Sequence, residues 1–372
     1  MRQTHTLKLA LLALFAPLAF VQARADIAIH EDKISLYGYV AGSVRQVWQQ
    51  GRHGEPNSSD ITGALDAANL GLAFDYKPVS AKFSIYVPDA GGNASDDPCL
   101  LDANVTYEMR KGAKITFGRF QSWVGYEAFH IPAQNFITAG ADGRLSIIPT
   151  YHEGVKYEAT KGKYSYGIAI LDSVYPTEDD PYGGDGDIGN GYGLEARAGY
   201  KGRNLSGALT IGRERNREND NTDTWVADIY AEYFIPRTKT TIGAEACVKT
   251  IEPLVFDNAG NALINNRTNT WFGLVTVRQK VGAKNTLSFR FSAGHKKVGI
   301  YKNQQYYDDG SPVCKGGTVV LFNKLSMAFN HAIARNVDFR GEFGYTNYNN
   351  TLKGAGEIDK ETFLGIQLVL KL

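Results

Sequence analysis

Residues 152 to 156 read His-Glu-Gly-Val-Lys, the start of a metalloprotease His-Glu-x-x-His with a lysine in fifth place. That chemistry needs two histidines one helical turn apart on one face. The surrounding YHEGVKYEA (151 to 159) alternates as a strand does, and positions i and i+4 of a strand stand ~13 Å apart, too far to share a zinc ion. None of the seven histidines sits in a recognisable nucleophile context, so no catalytic residue is expected. The segment EDDPYGGDGDIGNG (178 to 191) gathers Glu178, Asp179, Asp180, Asp185 and Asp187. Calcium favours such oxygens on a flexible loop, but the spacing misses the EF-hand pattern and a solvated outer loop is the simpler reading. Three cysteines, Cys99, Cys247 and Cys314, are an odd number in an exported chain. Cys247 and Cys314 bridge if an outer loop folds over, and otherwise stay as thiols. No cofactor or metal is expected.

The elements that carry these residues are strands. LDANVTYEM (101 to 109) puts Leu101, Ala103, Val105, Tyr107 and Met109 on one face and Asp102, Asn104, Thr106 and Glu108 on the other. The same alternation recurs in sixteen segments between ISLYGYVAGSV (34 to 44) and FLGIQLVLKL (363 to 372). Composition agrees, with 40 Gly, 21 Tyr and 18 Phe against 3 Met. The first 25 residues carry Arg2 and Lys8, an apolar run from Leu9 to Val21, and Ala23-Arg24-Ala25, the pattern of a secretory signal peptide, leaving one domain over 26–372 that starts at Asp26. Its removal turns the formal charge of +1 into about −2, which gives no support for a nucleic-acid partner. No later run of ~18 apolar residues exists, so any membrane crossing is done by strands.

Connections alternate between short turns such as KPV, RKG and TKGK and long polar loops, the plan of an outer-membrane barrel. Strands that lead into short turns, WFGLVTVRQ (271 to 279) excepted, end their apolar stripe in an aromatic: Tyr76, Tyr107, Tyr157, Tyr200, Tyr233 and Phe329. A ring with an apolar body suits the membrane interface, so these are expected to form a lipid-interface girdle. The opposite face carries charge, including Lys82, Asp102, Arg197 and Glu342, and is expected to line a wet lumen. The fold class is therefore all-β, a transmembrane antiparallel up-and-down barrel of about sixteen strands. Such a barrel leaves room for an aqueous channel.

The longest connection, from Arg119 to Thr150, contains FGRFQSWVGYEAFHIPAQNFI (117 to 137) and is followed by YHEGVKYE. This stretch resembles the putative beta-barrel porin (OmpL-like) family of the Gram-negative outer membrane, through Gly125, Tyr126, Glu127, His152 and Gly154. The element order is similar to that of the sixteen-stranded porins. The resemblance implies a third outer loop folded into the lumen, and a homotrimer as in many porins. The final strand, with Ile366, Leu368, Leu370 and Leu372 on one face, is similar to the signal read by the barrel-assembly machinery.

Arg45, Arg290 and Arg340 become neighbours once the last strand pairs with the first, and form a basic arc. The third loop brings Glu127 and Asp142 towards it, so a constriction with opposed charges is expected from these five residues. The alternative is that the arginines pair with lumen acids such as Glu342 and Asp338 and brace the wall. The expected function is a water-filled channel for passive diffusion of small hydrophilic solutes and ions across the outer membrane. The rivals are a sugar- or anion-selective porin, suggested by Tyr37, Tyr39, Tyr86 and Tyr230, and a non-conducting barrel acting as adhesin or anchor.

Overall fold

The computed structural model describes residues 27–30, 33–51, 56–88, 98–110, 112–175, 191–216, 222–253, 267–298, 317–349 and 358–372. The leader, most of the acidic segment 178–191 and Cys314 lie outside them. The strands are β1 (Ile27–His30), β2 (Ile34–Gly51), β3 (Ser58–Tyr76), β4 (Val79–Val87), β5 (Cys99–Arg110) and β6 (Ala113–Gln121). They continue with β7 (Tyr151–Lys161), β8 (Tyr164–Leu171), β9 (Gly191–Lys201), β10 (Leu205–Asn216), β11 (Thr222–Ile235) and β12 (Thr240–Pro253). The set ends with β13 (Thr268–Val281), β14 (Asn285–Val298), β15 (Gly317–Ala334), β16 (Val337–Tyr348) and β17 (Ile358–Lys371).

Each strand from β2 to β17 pairs antiparallel with its sequence neighbour. The last also pairs with β2, Val369 opposite Ala41, so the sheet closes as a sixteen-stranded barrel. Closure removes the open edge that hydrocarbon would not tolerate. The short β1, which alternation did not reveal, pairs with the beginning of β2.

Side chains that point outward are apolar and exposed, among them Leu70, Phe83, Val105, Ile170, Ile229, Leu325 and Phe343. In the girdle set, Tyr76, Tyr107, Tyr233 and Phe329 are exposed on this outer face at the short-turn rim, whereas Tyr157 and Tyr200 are half-buried. Tyr200 leans on Tyr164, ring centroids 5.4 Å apart. A second row, Trp48, Trp225 and Trp271, stands exposed towards the loop rim. On β11, Trp225 and Tyr233 bracket a stretch of ~27 Å along the strand; tilted by ~40° it spans ~20 Å of height, close to the apolar band of such barrels.

Two expectations are corrected. Strands β2 and β3 run well into what reads as loop, to Gly51 and from Ser58, because above the membrane both faces are wet and the alternation fades. Leu101 does not share the outer face with Val105: Leu101 and Asp102 together oppose Ser84, a bulge that turns Leu101 fully inward and leaves Leu100 outside. A similar irregularity between Ala41 and Gly42 on β2 leaves Asp66 of β3 unpaired in the ladder and buried. Both bulges deliver a carboxylate to the lumen.

Candidate functional site

The connection from Ser122 to Thr150 enters the barrel with no strand of its own and only two short 3-10 turns, Ile131–Ala133 and Gly143–Leu145. Irregular backbone at this depth needs hydrogen-bond partners from the wall. Wall and loop carboxylates accept its N–H groups: Gly125 donates to Asp228 (3.0 Å), Tyr126 to Glu245 (2.9 Å), Ile137 and Thr138 to Glu342 (2.5 and 2.8 Å), and Gly140 to Glu127 (2.6 Å). Wall cations donate to its carbonyls: Arg290 to Thr138 (2.9 Å), Lys324 to Ala139 (2.9 Å), Lys296 to Arg144 (3.1 Å), Lys249 to Ser146 (2.9 Å) and Arg340 to Pro132 (3.3 Å). Much of the lumen charge is thus spent on positioning the loop.

The Gly-Tyr-Glu segment is the first of these anchors. Gly125 has φ +103°, a left-handed conformation that a side chain would strain, and this conformation aims consecutive N–H groups at Asp228 and Glu245. The Tyr126 hydroxyl, its pKa pushed up to about 12 chiefly by burial, stays protonated and donates to Glu232 at 2.8 Å. Glu127 pairs with Arg290. His152, fully buried on β7, faces Glu195 at 3.1 Å and no second histidine. A Cβ on Gly154 would lie 2.2 Å from the Ile170 carbonyl, so only glycine fits there without moving a strand. The five residues that carry the family resemblance therefore shape the loop's root and the wall behind it.

An apolar core completes the attachment. Trp123, Val124, Leu145 and Ile147 of the loop pack inside the barrel on Phe120, Leu171, Phe272, Leu274 and Phe322. Burying such side chains stabilises docking by ~1.5–3 kcal/mol each. Phe272 and Leu274 face inward while Trp271 and Val275 face lipid, so this strand is apolar on both sides and periodicity could not tell the two apart.

At the loop tip Phe129 contacts Tyr86 and Tyr151, and His130 lies edge-on to Tyr39 with Nε2 3.0 Å from the Tyr151 hydroxyl. Burial, with Lys82 nearby, lowers the His130 pKa below its ordinary ~6.5, although Asp102 opposes the shift. A released tip would hold a histidine of ordinary pKa, so it binds protons more readily than the docked tip. Docking therefore weakens as pH falls below ~6.5 and is unchanged above it. Open-channel current noise should rise between pH 7 and 5, and His130→Gln should flatten the pH response. An identical response in that variant would remove His130 from the account.

Arg45, Glu127 and Asp142 border one cavity of ≈550 Å³ lined largely by the loop. Arg290 and Arg340 do not line it; at 1% and 2% exposure they lie beneath the loop. The expected field between a basic arc and an acidic loop is corrected accordingly. Arg290 touches Glu127 directly and also meets Glu342 at 3.5 Å, which is the bracing alternative, and Arg45 is paired with Asp66. Asp142 accepts from Arg144 of its own loop; burial alone would raise its pKa, but these bonds hold the carboxyl below its usual range. Glu342 is a loop anchor. Lys82, Asp102 and Arg197 border a second cavity of ≈880 Å³ between the β2–β9 wall and the loop. Tyr37 also lines it, Tyr39 and Tyr86 hold the loop tip, and Tyr230 packs on Tyr126. Asp66, which also accepts from Ser43 and Gln367, was missed; its only signal is the break in alternation at LDAAN. Cys247 is buried on the lumen side.

A closed sixteen-stranded barrel, belted by apolar side chains and narrowed by a third loop tethered to its lumen, has the architecture of an outer-membrane porin. Residues 70–372 match the model of the family described as "Putative beta-barrel porin-2, OmpL-like", and the chain belongs to that family. Among solved structures it is similar to the outer-membrane channel DcaP of Acinetobacter baumannii, at 13% identity over 91% of this chain and 97% of that one, TM-score 0.61. It is likewise similar to OmpF of Salmonella typhi in complex with daunomycin, at 12% identity over 93% and 100% of the two chains, TM-score 0.61. A third is OmpT of Vibrio cholerae, at 12% identity over 95% and 99%, TM-score 0.57. At these identities the likeness concerns the fold. No curated protein matches the chain in sequence.

Proposed function

We propose that the protein is a porin of the Gram-negative outer membrane that lets small hydrophilic solutes and ions diffuse passively, with no catalytic step and no cofactor. The observation that carries this reading is the tethered loop. Carboxylates and cations of the wall hold it inside the barrel and leave two cavities, of ≈880 and ≈550 Å³, around it, the larger of them lined by many polar and charged groups. A barrel serving only as an anchor for outer loops has no use for such a device. The partners of this reading are outer-membrane lipid, the barrel-assembly machinery during biogenesis, permeating solutes, and two further copies in a homotrimer. Proteoliposome swelling in isosmotic sugars tests it: arabinose should enter faster than raffinose, because the loop limits size. Failure of both sugars to enter vesicles containing folded protein would favour the anchor.

A further inference from the structure

The basic residues at the loop are largely matched: Arg290 by Glu127 and Glu342, Arg45 by Asp66, and Arg278 by Glu232. The wall of the larger cavity is different. Lys82 is exposed to it and has no charged or hydrogen-bonded partner among the described residues. Arg197 donates to the Tyr230 hydroxyl, at 2.7 Å, and lies 5.9 Å from that ring's centre; it forms no ion pair among the described residues, although the Asp228 carboxylate of β11 feels its charge. Lys156 stands between them along the wall, 4.3 Å from the Phe120 ring centre; its nearest carboxylate, Glu158 at 3.9 Å, is held more closely by Lys114 at 3.1 Å. Asp102 borders the same cavity, and its carboxylate accepts from the neutral hydroxyls of Ser84 (3.0 Å) and Tyr37 (3.2 Å), which do not offset its charge. Asp75 and Glu108 are exposed near the short-turn rim, where salt screens them over ~8 Å. The body of the cavity therefore sets Lys82, Lys114, Lys156 and Arg197 against Asp102 and Glu158, an excess of positive charge beside amide and hydroxyl groups.

We propose that this cavity is a subsite for small oxyanions, carboxylate- or phosphate-bearing, with Lys82 and Arg197 supplying the charge and the second N–H of the Asn104 amide, whose first donates to the Arg119 carbonyl (2.8 Å), and the Thr106–Thr116 hydroxyl pair (2.9 Å) supplying hydrogen bonds. The inference rests on the porin reading and names the solute class that the channel favours. Cations in a partly enclosed, low-dielectric cavity raise the local concentration of anions far more than the same charges on open surface.

The test is the reversal potential of wild type and of Lys82→Glu/Arg197→Glu in planar bilayers under a KCl gradient, with folding checked by heat-modifiable gel mobility. Wild type should prefer chloride, and the double variant should lower the chloride-to-potassium permeability ratio about tenfold at low salt. Citrate and inorganic phosphate, added separately to the KCl bath, should each reduce wild-type current and lose that effect in the variant; a block by one only would assign the subsite to that oxyanion. If the glutamates prevent folding, Lys82→Gln/Arg197→Gln should show the same loss in weaker form. A shift no larger than that of the turn variant Lys163→Glu/Lys201→Glu, or block by both anions unchanged, would overturn the subsite while leaving the porin intact. A wild-type barrel that passes no current would instead overturn the porin reading.

Discussion

A channel carrying Arg290→Ala should conduct more than wild type and show a noisier open level. The Arg290 guanidinium donates to the Thr138 carbonyl (2.9 Å), the Thr138 hydroxyl (3.1 Å) and Ser326 (3.2 Å), and is paired with Glu127 and Glu342. Its removal deprives Glu127 of the loop and Glu342 of the wall of their paired cation, leaving Lys324 as the neighbouring positive group. Breaking a buried pair in this way costs ~3–5 kcal/mol. The penalty falls on the docked loop, because the ladders from β13 to β15 are made by backbone groups that the substitution leaves in place. The barrel should therefore keep its heat-modifiable mobility while loop 3 becomes open to protease. Unchanged conductance together with a protected loop would show that Arg290 is not a main tether.

Ile229→Arg should destabilise the barrel by ~2–4 kcal/mol, the cost of an arginine near the middle of the hydrocarbon. Ile229 is exposed on the outer face of β11, midway between the interfacial rings of Trp225 and Tyr233. Asn104→Arg is the comparison: this residue borders the larger cavity, so the added charge meets water. Urea titration of both variants in lipid vesicles should show a large loss for the first and a small one for the second. Equal losses would mean that the two faces of the sheet do not meet lipid and water.

Sequence alternation located the sixteen barrel strands because one face meets lipid and the other water, a contrast with period two. It failed wherever that contrast disappears. The outer third of β3 is polar apart from Ile61 and small residues, the middle of β13 is apolar on both faces, and at Leu101 and Asp66 a bulge shifts the period. The site was legible in part. Gly125, Tyr126 and Glu127 stood out through the family resemblance, whereas Asp228 and Glu245 share the charged face of their strands with many other residues. Their pairing could not be read, since Gly125 meets Asp228 and Tyr126 meets Glu245 across more than a hundred residues of chain. Of the arc arginines, Arg290 and Arg340 lie buried beneath the loop and not in open water, whereas Arg45 borders a cavity. What misled was treating lumen charge as free, when an irregular loop inside a barrel requires that same charge for its backbone.

The most direct measurement is single-channel recording of purified, heat-modifiable protein in planar lipid bilayers. A water-filled barrel narrowed by a docked loop should insert in discrete steps of uniform size, with current linear in voltage near zero and proportional to bulk salt at high concentration. Folded protein that inserts into the bilayer and yet gives no discrete steps would contradict the account, whatever the loop's contacts.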